Sequence, residues 1–175
     1  MEERRSYQDR RKSDRYEYDN GELYVAFRCA NYQFVVENKE VLSVTAPPKF
    51  IVIPKCQPWF VGVASINGYV SNVSDLSAYL NLEPALDQES ARLLLLNHED
   101  NTFGLLVDAV IGVIECQPCE RSQAFYPLEV ESFTVSQRCA DGQCYDEFDI
   151  RRLFHEPGFL NAVEAGEPSV HQDSA

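Results

Sequence analysis

Apolar residues recur along this chain in short runs, many with the two-residue alternation of half-buried strands. The clearest stretch is Val61 to Leu80, VGVASINGYVSNVSDLSAYL. Val61, Val63 and Ile66 run up to Asn67-Gly68, a hairpin dipeptide because both residues tolerate positive φ. Tyr69, Val70 and Val73 carry the return strand. Ser74 or Asp75 then caps a helical turn in which Leu76, Tyr79 and Leu80 share a face.

The same pattern extends both ways. Leu23 to Cys29 and Tyr32 to Val36 pair across an Ala30-Asn31 turn. Val41, Leu42 and Val44 form another run, stopped by Pro47-Pro48. Phe50 to Ile53 reads as a short β piece, and Pro58, Trp59 and Phe60 lead into the central hairpin. A polar linker occupies 81–90. Arg92 to Asn97 (RLLLLN) predicts a strand buried on both faces. Glu99-Asp100-Asn101 reads as a turn, followed by strands at Thr102 to Val107 and Ala109 to Ile114. Glu115 to Val130 reads as irregular, with Pro118 and Pro127. Phe133 to Arg138 and Gln143 to Phe148 flank Asp141-Gly142, a second hairpin turn. Asp149 to Phe154 predicts a helical turn with Ile150, Leu153 and Phe154 inward. Pro157-Gly158 breaks it, and Phe159 to Val163 predicts a last short helix. Nine or ten short strands, with turn signals about every 8–12 residues, favour an all-β barrel or sandwich. Hairpin systems before and after the linker predict two small barrels sharing a core.

At 175 residues the chain is sized for one domain. No apolar run approaches the ~20 residues of a membrane span, so direct membrane insertion is not expected. MEERRSYQDRRKSDRYEYDNG lacks the apolar stretch of a secretory signal, which predicts a cytoplasmic protein. Residues 1–20 hold six acidic and six basic side chains, so the body carries the whole net charge of −13. An acidic body argues against nucleic acid, which needs Lys and Arg on one face, and against anionic lipid. The expected organisation is a mixed-charge flexible tail at 1–21, one domain at 22–163 and a flexible terminus at 164–175. The tail reads as a solvated extension, or alternatively as a docking arm.

Candidate chemistry is sparse. Cys116-x2-Cys119 followed by Cys139-x4-Cys144 offers four thiolates, a zinc donor set. The leading reading is ordinary buried or surface thiols, with zinc and redox chemistry as the alternatives, and no metal or cofactor is expected. His98, His155 and His171 show no metal or triad spacing. Asp75 and Asp108, each bracketed by apolar residues, read as turn or cap acceptors, with acid–base work as the alternative. No phosphate cradle or nucleophile elbow is present. Trp59, Phe60 and Tyr69 beside the hairpin serve as core or as aromatic anchors for a partner.

GVASINGYVSNVSDL, from Gly62 to Leu76, resembles the signature of the CheW-like family, close to G-V-x-N-L-R-G-x-x-x-P-V-x-D-L. FGLLVDAVIGVIE, from Phe103 to Glu115, is similar to its later block G-L-x-V-D-x-V-x-x-V, which matches Gly104, Val107, Asp108 and Val110. YVAFRCANYQFVVENKEVLSV is similar to the family's opening hairpin, and Tyr145 to Phe154 to its closing strand and turn. The resemblance covers roughly Glu22 to Phe154. It implies two intertwined five-stranded, SH3-like barrels. It also implies a non-enzymatic adaptor that couples the cytoplasmic tips of methyl-accepting chemoreceptors to a CheA-type histidine kinase. Docking would be on the kinase's own CheW-like domain, with the edges of both barrels meeting kinase domains. Gly62, Asp75, Leu76, Gly104, Val107, Asp108 and Val110 are then framework positions. Ser43, Val63, Ser65, Ile66, Asn67, Gly68 and Tyr69 are expected at the partner-facing surface.

The chain departs from the pattern where a receptor would touch it. The family's arginine before the hairpin glycine is Asn67, and the glutamate of its early strand aligns with Ser43. The family tends to pair those two charges, and here both members are neutral together. Losing one alone would strand a charge. The departure points to a specialised member, such as the pilus-based (twitching) branch, PilI- or ChpC-like. It also leaves open a module that has lost receptor coupling and binds another partner.

Overall fold

A computed structural model describes residues 22–83, 89–99, 101–120 and 126–162. The expected tails at 1–21 and 164–175, His171, Val163, Asp100 and the middle of the linker lie outside the described residues. Among the described residues ten strands follow in order. They are β1 (Glu22–Cys29), β2 (Tyr32–Glu37), β3 (Val41–Thr45), β4 (Phe60–Ile66) and β5 (Tyr69–Asp75). Then come β6 (Arg92–His98), β7 (Asn101–Val107), β8 (Ala109–Cys119), β9 (Thr134–Ala140) and β10 (Gln143–Phe148). Four short helices are α1 (Leu76–Tyr79), α2 (Leu128–Glu131), α3 (Ile150–His155) and α4 (Pro157–Leu160). No described helix is long and apolar enough to cross a membrane.

The two expected hairpin turns form as their dipeptides dictate. Asn67 and Gly68 take φ of 50° and 87°, and Asp141 and Gly142 take 49° and 78°. Both loops therefore have the doubly positive pattern that matches strand twist. The strands divide into a closed barrel, β1-β2-β10-β9-β8, and a five-stranded sheet, β3-β6-β7-β5-β4. β1 closes the barrel against β8, and β2 runs parallel to β10. The partition does not fall at the linker. β1 and β2 leave the first half of the chain to join the last three strands, so the two sheets interlock. The second sheet ends at β3 and β4, its terminal strands, so it stays open where two full barrels were expected.

β6 explains how both sheets share one interior. Leu93 to Leu96 are all buried. Leu94 and Leu96 face the large cluster with Phe27, Phe34 and Phe148 of the barrel. Leu93 and Leu95 face the other way, onto Ala64, Ile66 and Val73. Burying each such side chain contributes about 1.5–3 kcal/mol.

Three sequence expectations need correction. Phe50 to Ile53 is not a strand: a single bridge joins Ile51 to Val63. Flanking prolines at 47, 48 and 54 cannot donate to a ladder, which keeps the segment irregular. Glu115 to Cys119 is not irregular but the end of β8. Leu128–Glu131 within the same stretch is helical. The last helix starts at Pro157 rather than Phe159. Its proline sits in the first helical turn, where a missing N–H costs nothing.

Candidate functional site

The open seam between β3 and β4 gathers most of the positions singled out in the sequence. β4 alternates as a strand must: Ala64 and Ile66 are buried, Ser65 is exposed and Val63 half-buried. Ile66, expected at the partner-facing surface, is 3% exposed and packs on Val73, Leu93 and Leu95. It supports the hairpin from behind. Asn67, Gly68 and Tyr69 are exposed at the tip.

Across the seam, the Asn67 Nδ2 donates to the Ser43 Oγ at 2.9 Å. The two positions that the family pattern gives opposite charges therefore meet here as a neutral hydrogen bond. Such a bond at an exposed site is worth about 0.5–1.5 kcal/mol. Neither side chain of the pair carries a charge.

Gly62 fixes the other side of the seam. Its φ is +141°, and a Cβ there would lie 2.3 Å from the Ile51 carbonyl oxygen. The 50–53 segment thus lies directly on the β4 backbone, and Ile51 and Val63 exchange two backbone hydrogen bonds there. The strap leaves its own side chains outside: Ile51 is 71% and Val52 75% exposed, alongside Val70 at 75%. The register puts Ile51, Val63 and Val70 on one face of the sheet and Tyr69 with Ile66 on the other, with the polar Ser43–Asn67 link at the tip.

The remaining framework positions lie within or against the interior. Gly104 has no room for a side chain, since a Cβ would sit 2.9 Å from Val73 Cγ2. Leu76 and Val107 are buried, and Val110 packs against the same cluster. Asp75 caps α1, its carboxylate accepting from the Ala78 N–H at 3.0 Å. Burial pushes this carboxyl up from its usual range. Backbone N–H groups of Ala78 and Ser77 oppose the shift, and the nearby Asp108 adds to it. Asp108 accepts from the Ala30 N–H at 2.5 Å, and its own N–H donates to the Arg28 carbonyl at 3.0 Å. It pins the β1–β2 turn at the junction of β7 with β8, where the two sheets meet. Trp59 is a core residue, 9% exposed and stacked on Phe159 at 5.2 Å.

The cysteines do not assemble as four. Cys119, Cys139 and Cys144 converge, with their sulfurs all within 4.8 Å of one another. Cys116 lies on the opposite face of β8, buried among Tyr24, Ala26 and Val35. An odd offset of three residues in a strand reverses the face. Cys29 is buried against the Ser77 hydroxyl at 3.3 Å, and burial pushes its thiol up to about 12. The sequence spacing also missed His98 and His155, whose rings come within 5.0 Å beside Glu99. They are joined only by the packing of α3 against the end of β6, which leaves no local signal.

The family model "CheW-like domain" matches residues 23–156. PilI of Pseudomonas aeruginosa is 30% identical over 105 residues, covering 60% of this chain and 59% of that protein. The match thus spans about three fifths of PilI. The chemotaxis protein CheW of Bacillus subtilis is 26% identical over 108 residues, 62% of this chain and 69% of that protein. The crystal structure of the scaffolding protein TtCheW from Thermoanaerobacter tengcongensis has a TM-score of 0.65 at 19% identity. It covers 79% of this chain and 95% of that one, a likeness of fold.

Proposed function

We propose, from the premise that this chain belongs to the CheW-like domain family, that it is a non-enzymatic adaptor. It couples chemoreceptors to a CheA-type histidine kinase in a bacterial chemosensory system. The observation that carries this reading is the open β3–β4 seam. There two terminal strands, the Ile51–Val52 strap and the Asn67-Gly68 tip offer exposed apolar side chains and backbone edges. Terminal strands are natural docking places for another sheet. The edges of both halves were expected to meet the kinase. The open ends at β3 and β4 support placing the contact with the kinase's CheW-like domain there. The mechanism is differential binding: contacts that hold the kinase in one geometry raise the population of that state. Recruitment to membrane-associated or polar receptor arrays follows from the same contacts. The PilI relationship supports a pilus-linked pathway over the flagellar one.

A second reading is favoured by one observation. Ser43 and Asn67 form a neutral link where the family pattern carries charge. The module would then keep its fold and bind something other than a receptor tip.

Calorimetric titration against the CheW-like domain of each CheA-type kinase from the same cell tests the proposal. Micromolar binding to one of them is expected, and no binding to any overturns the adaptor reading. Replacing the pair as Asn67→Arg with Ser43→Glu then separates the two readings. Gain of affinity for a receptor tip is expected if the tip is the receptor-facing surface. No change for any partner would remove that assignment.

A further inference from the structure

We infer that Cys119, Cys139 and Cys144 form a site for a thiophilic metal ion of the zinc class. Three thiolates from the closed barrel would hold it, with a fourth position open to water or to a donor from a partner. The strand register makes the site. The two-residue Asp141-Gly142 loop sets Ala140 opposite Gln143 and Cys139 opposite Cys144. In such a hairpin the pair flanking the loop exchanges backbone hydrogen bonds and the next pair does not. Cys139 and Cys144 thus stand where facing side chains come closest, with Cα atoms about 4.5 Å apart. β8 brings the third thiol. Gln117 pairs with Cys139 and Cys119 with Gln137, so Cys119 lies one strand over on the same face.

The sulfurs of Cys139 and Cys144 are 2.8 Å apart, and all three fall within 4.8 Å. Tetrahedral zinc with bonds of about 2.3 Å holds its sulfurs about 3.8 Å apart. Rotating side chains over a fixed backbone would open the 2.8 Å Cys139–Cys144 contact to that spacing.

Two features favour a cation over a disulfide. A disulfide uses two of the thiols and leaves the convergence of the third without a role. Beneath the trio, on the same face of β10, lies the buried Asp146 carboxylate. Gln137 donates to it at 3.0 Å and Tyr126 at 3.1 Å. The negative charge of Asp146 acts on the Cys144 thiol, and a bound cation would offset that charge. Cys139 also lines an open groove with Val113, Gln117 and Asp141, which gives an ion its way in. Soft sulfur donors select zinc, cadmium, cobalt or cuprous ions over magnesium and calcium.

The test uses the full chain, reduced and stripped of metal, titrated with cobalt(II). Saturation at one ion per chain, with a sulfur-to-cobalt charge-transfer absorption that zinc abolishes, is expected. Zinc should also shield Cys119, Cys139 and Cys144 from alkylation while Cys56 still labels. Cys119→Ser should weaken binding at least about tenfold, and Cys116→Ser should leave it unchanged. Metal-free melting temperatures identify any variant that fails to fold. The inference is overturned by the absence of the charge-transfer band. It is equally overturned by cobalt bound through nitrogen and oxygen alone, as His98, Glu99 and His155 would hold it. Equal damage from Cys116→Ser, or a Cys139–Cys144 disulfide with Cys119 freely alkylated, would overturn it as well.

Discussion

The closed barrel and the open sheet are each five strands long and share a single interior, yet they end differently. The barrel satisfies its own edges, because β1 finds β8 and β2 finds β10. The other sheet stops at β3 and β4, and a strap of irregular chain crosses the gap. The barrel buries a polar network, Gln137–Asp146–Tyr126, and it too exposes large apolar side chains, Leu23, Val113 and Val135 among them. Around the open seam large apolar side chains are turned outward. On the adaptor reading, closure and docking are divided between the halves: one completes itself, and the other would be completed by a partner.

The most severe way to break this comparison is to lift the strap. Gly62→Ala places a Cβ against a backbone carbonyl at a φ that L residues rarely adopt. Nothing there relaxes by side-chain rotation, so the expected loss is about 4 kcal/mol or more. Gly112 on β8 has a similar φ, +156°, but nothing within 4 Å of the added atom. Gly112→Ala should cost no more than about 1–2 kcal/mol of backbone strain. Urea midpoints at unchanged m report both. Equal losses would show that the strap's close approach is not what makes Gly62 necessary.

The next largest effect asks whether the halves fold as one. Leu94 lies on the β6 face that packs into the shared cluster. Leu94→Ala should cost about 3 kcal/mol. Fluorescence of Trp59, the single tryptophan, and far-ultraviolet circular dichroism should still report coincident transitions. Separated transitions would mean that the open sheet unfolds independently of the barrel.

What the sequence disclosed follows from how local each signal is. Asn67-Gly68, Asp141-Gly142 and the unbroken Leu93–Leu96 run act within a few residues, so strand count, turns and the double-faced β6 were legible. Pairing β2 with β10 joins residues over a hundred positions apart, and no local pattern announces it. Hairpin order alone put the division at the linker, and only the family resemblance implied intertwined halves. The Ser43–Asn67 contact was legible only through the family resemblance, as two substitutions that make sense together. Ile66 was misplaced because the motif was treated as a surface patch, whereas strand alternation sends every second residue inward. The thiol trio was half legible. The cysteine count gave four donors, but face alternation along β8 removes Cys116.

A smaller effect separates docking from folding. Val52→Lys, at 75% exposure on the strap, should change stability by less than about 0.5 kcal/mol. Its affinity for the kinase domain should fall about tenfold, through loss of apolar contact. Val135→Lys on the closed barrel, at 60% exposure, should leave that affinity unchanged. If Val135→Lys weakened binding as much, docking would not belong to the open half.

The smallest expected effect concerns Asp75, where β5 passes into α1 under Trp59. Its backbone N–H donates to the Trp59 carbonyl at 2.7 Å, and its carboxylate caps the helix. Burial raises the carboxyl above its unfolded value. The native state therefore takes up the proton first as pH falls. Its contribution is fully present below the unfolded pKa and is lost as pH rises through the folded one. At neutral pH the buried charge is a net cost. Asp75→Asn keeps an oxygen for the Ala78 N–H and removes that charge, and Asn and Asp cap about equally well. The variant should gain a few tenths of a kcal/mol at neutral pH, well under the ~1 kcal/mol of a lost cap. That gain should shrink as the wild type becomes protonated in acid. Thermal melts at neutral and mildly acidic pH would read the crossover. A variant less stable than wild type at neutral pH would show that the charge itself, acting on the helix terminus, outweighs its burial.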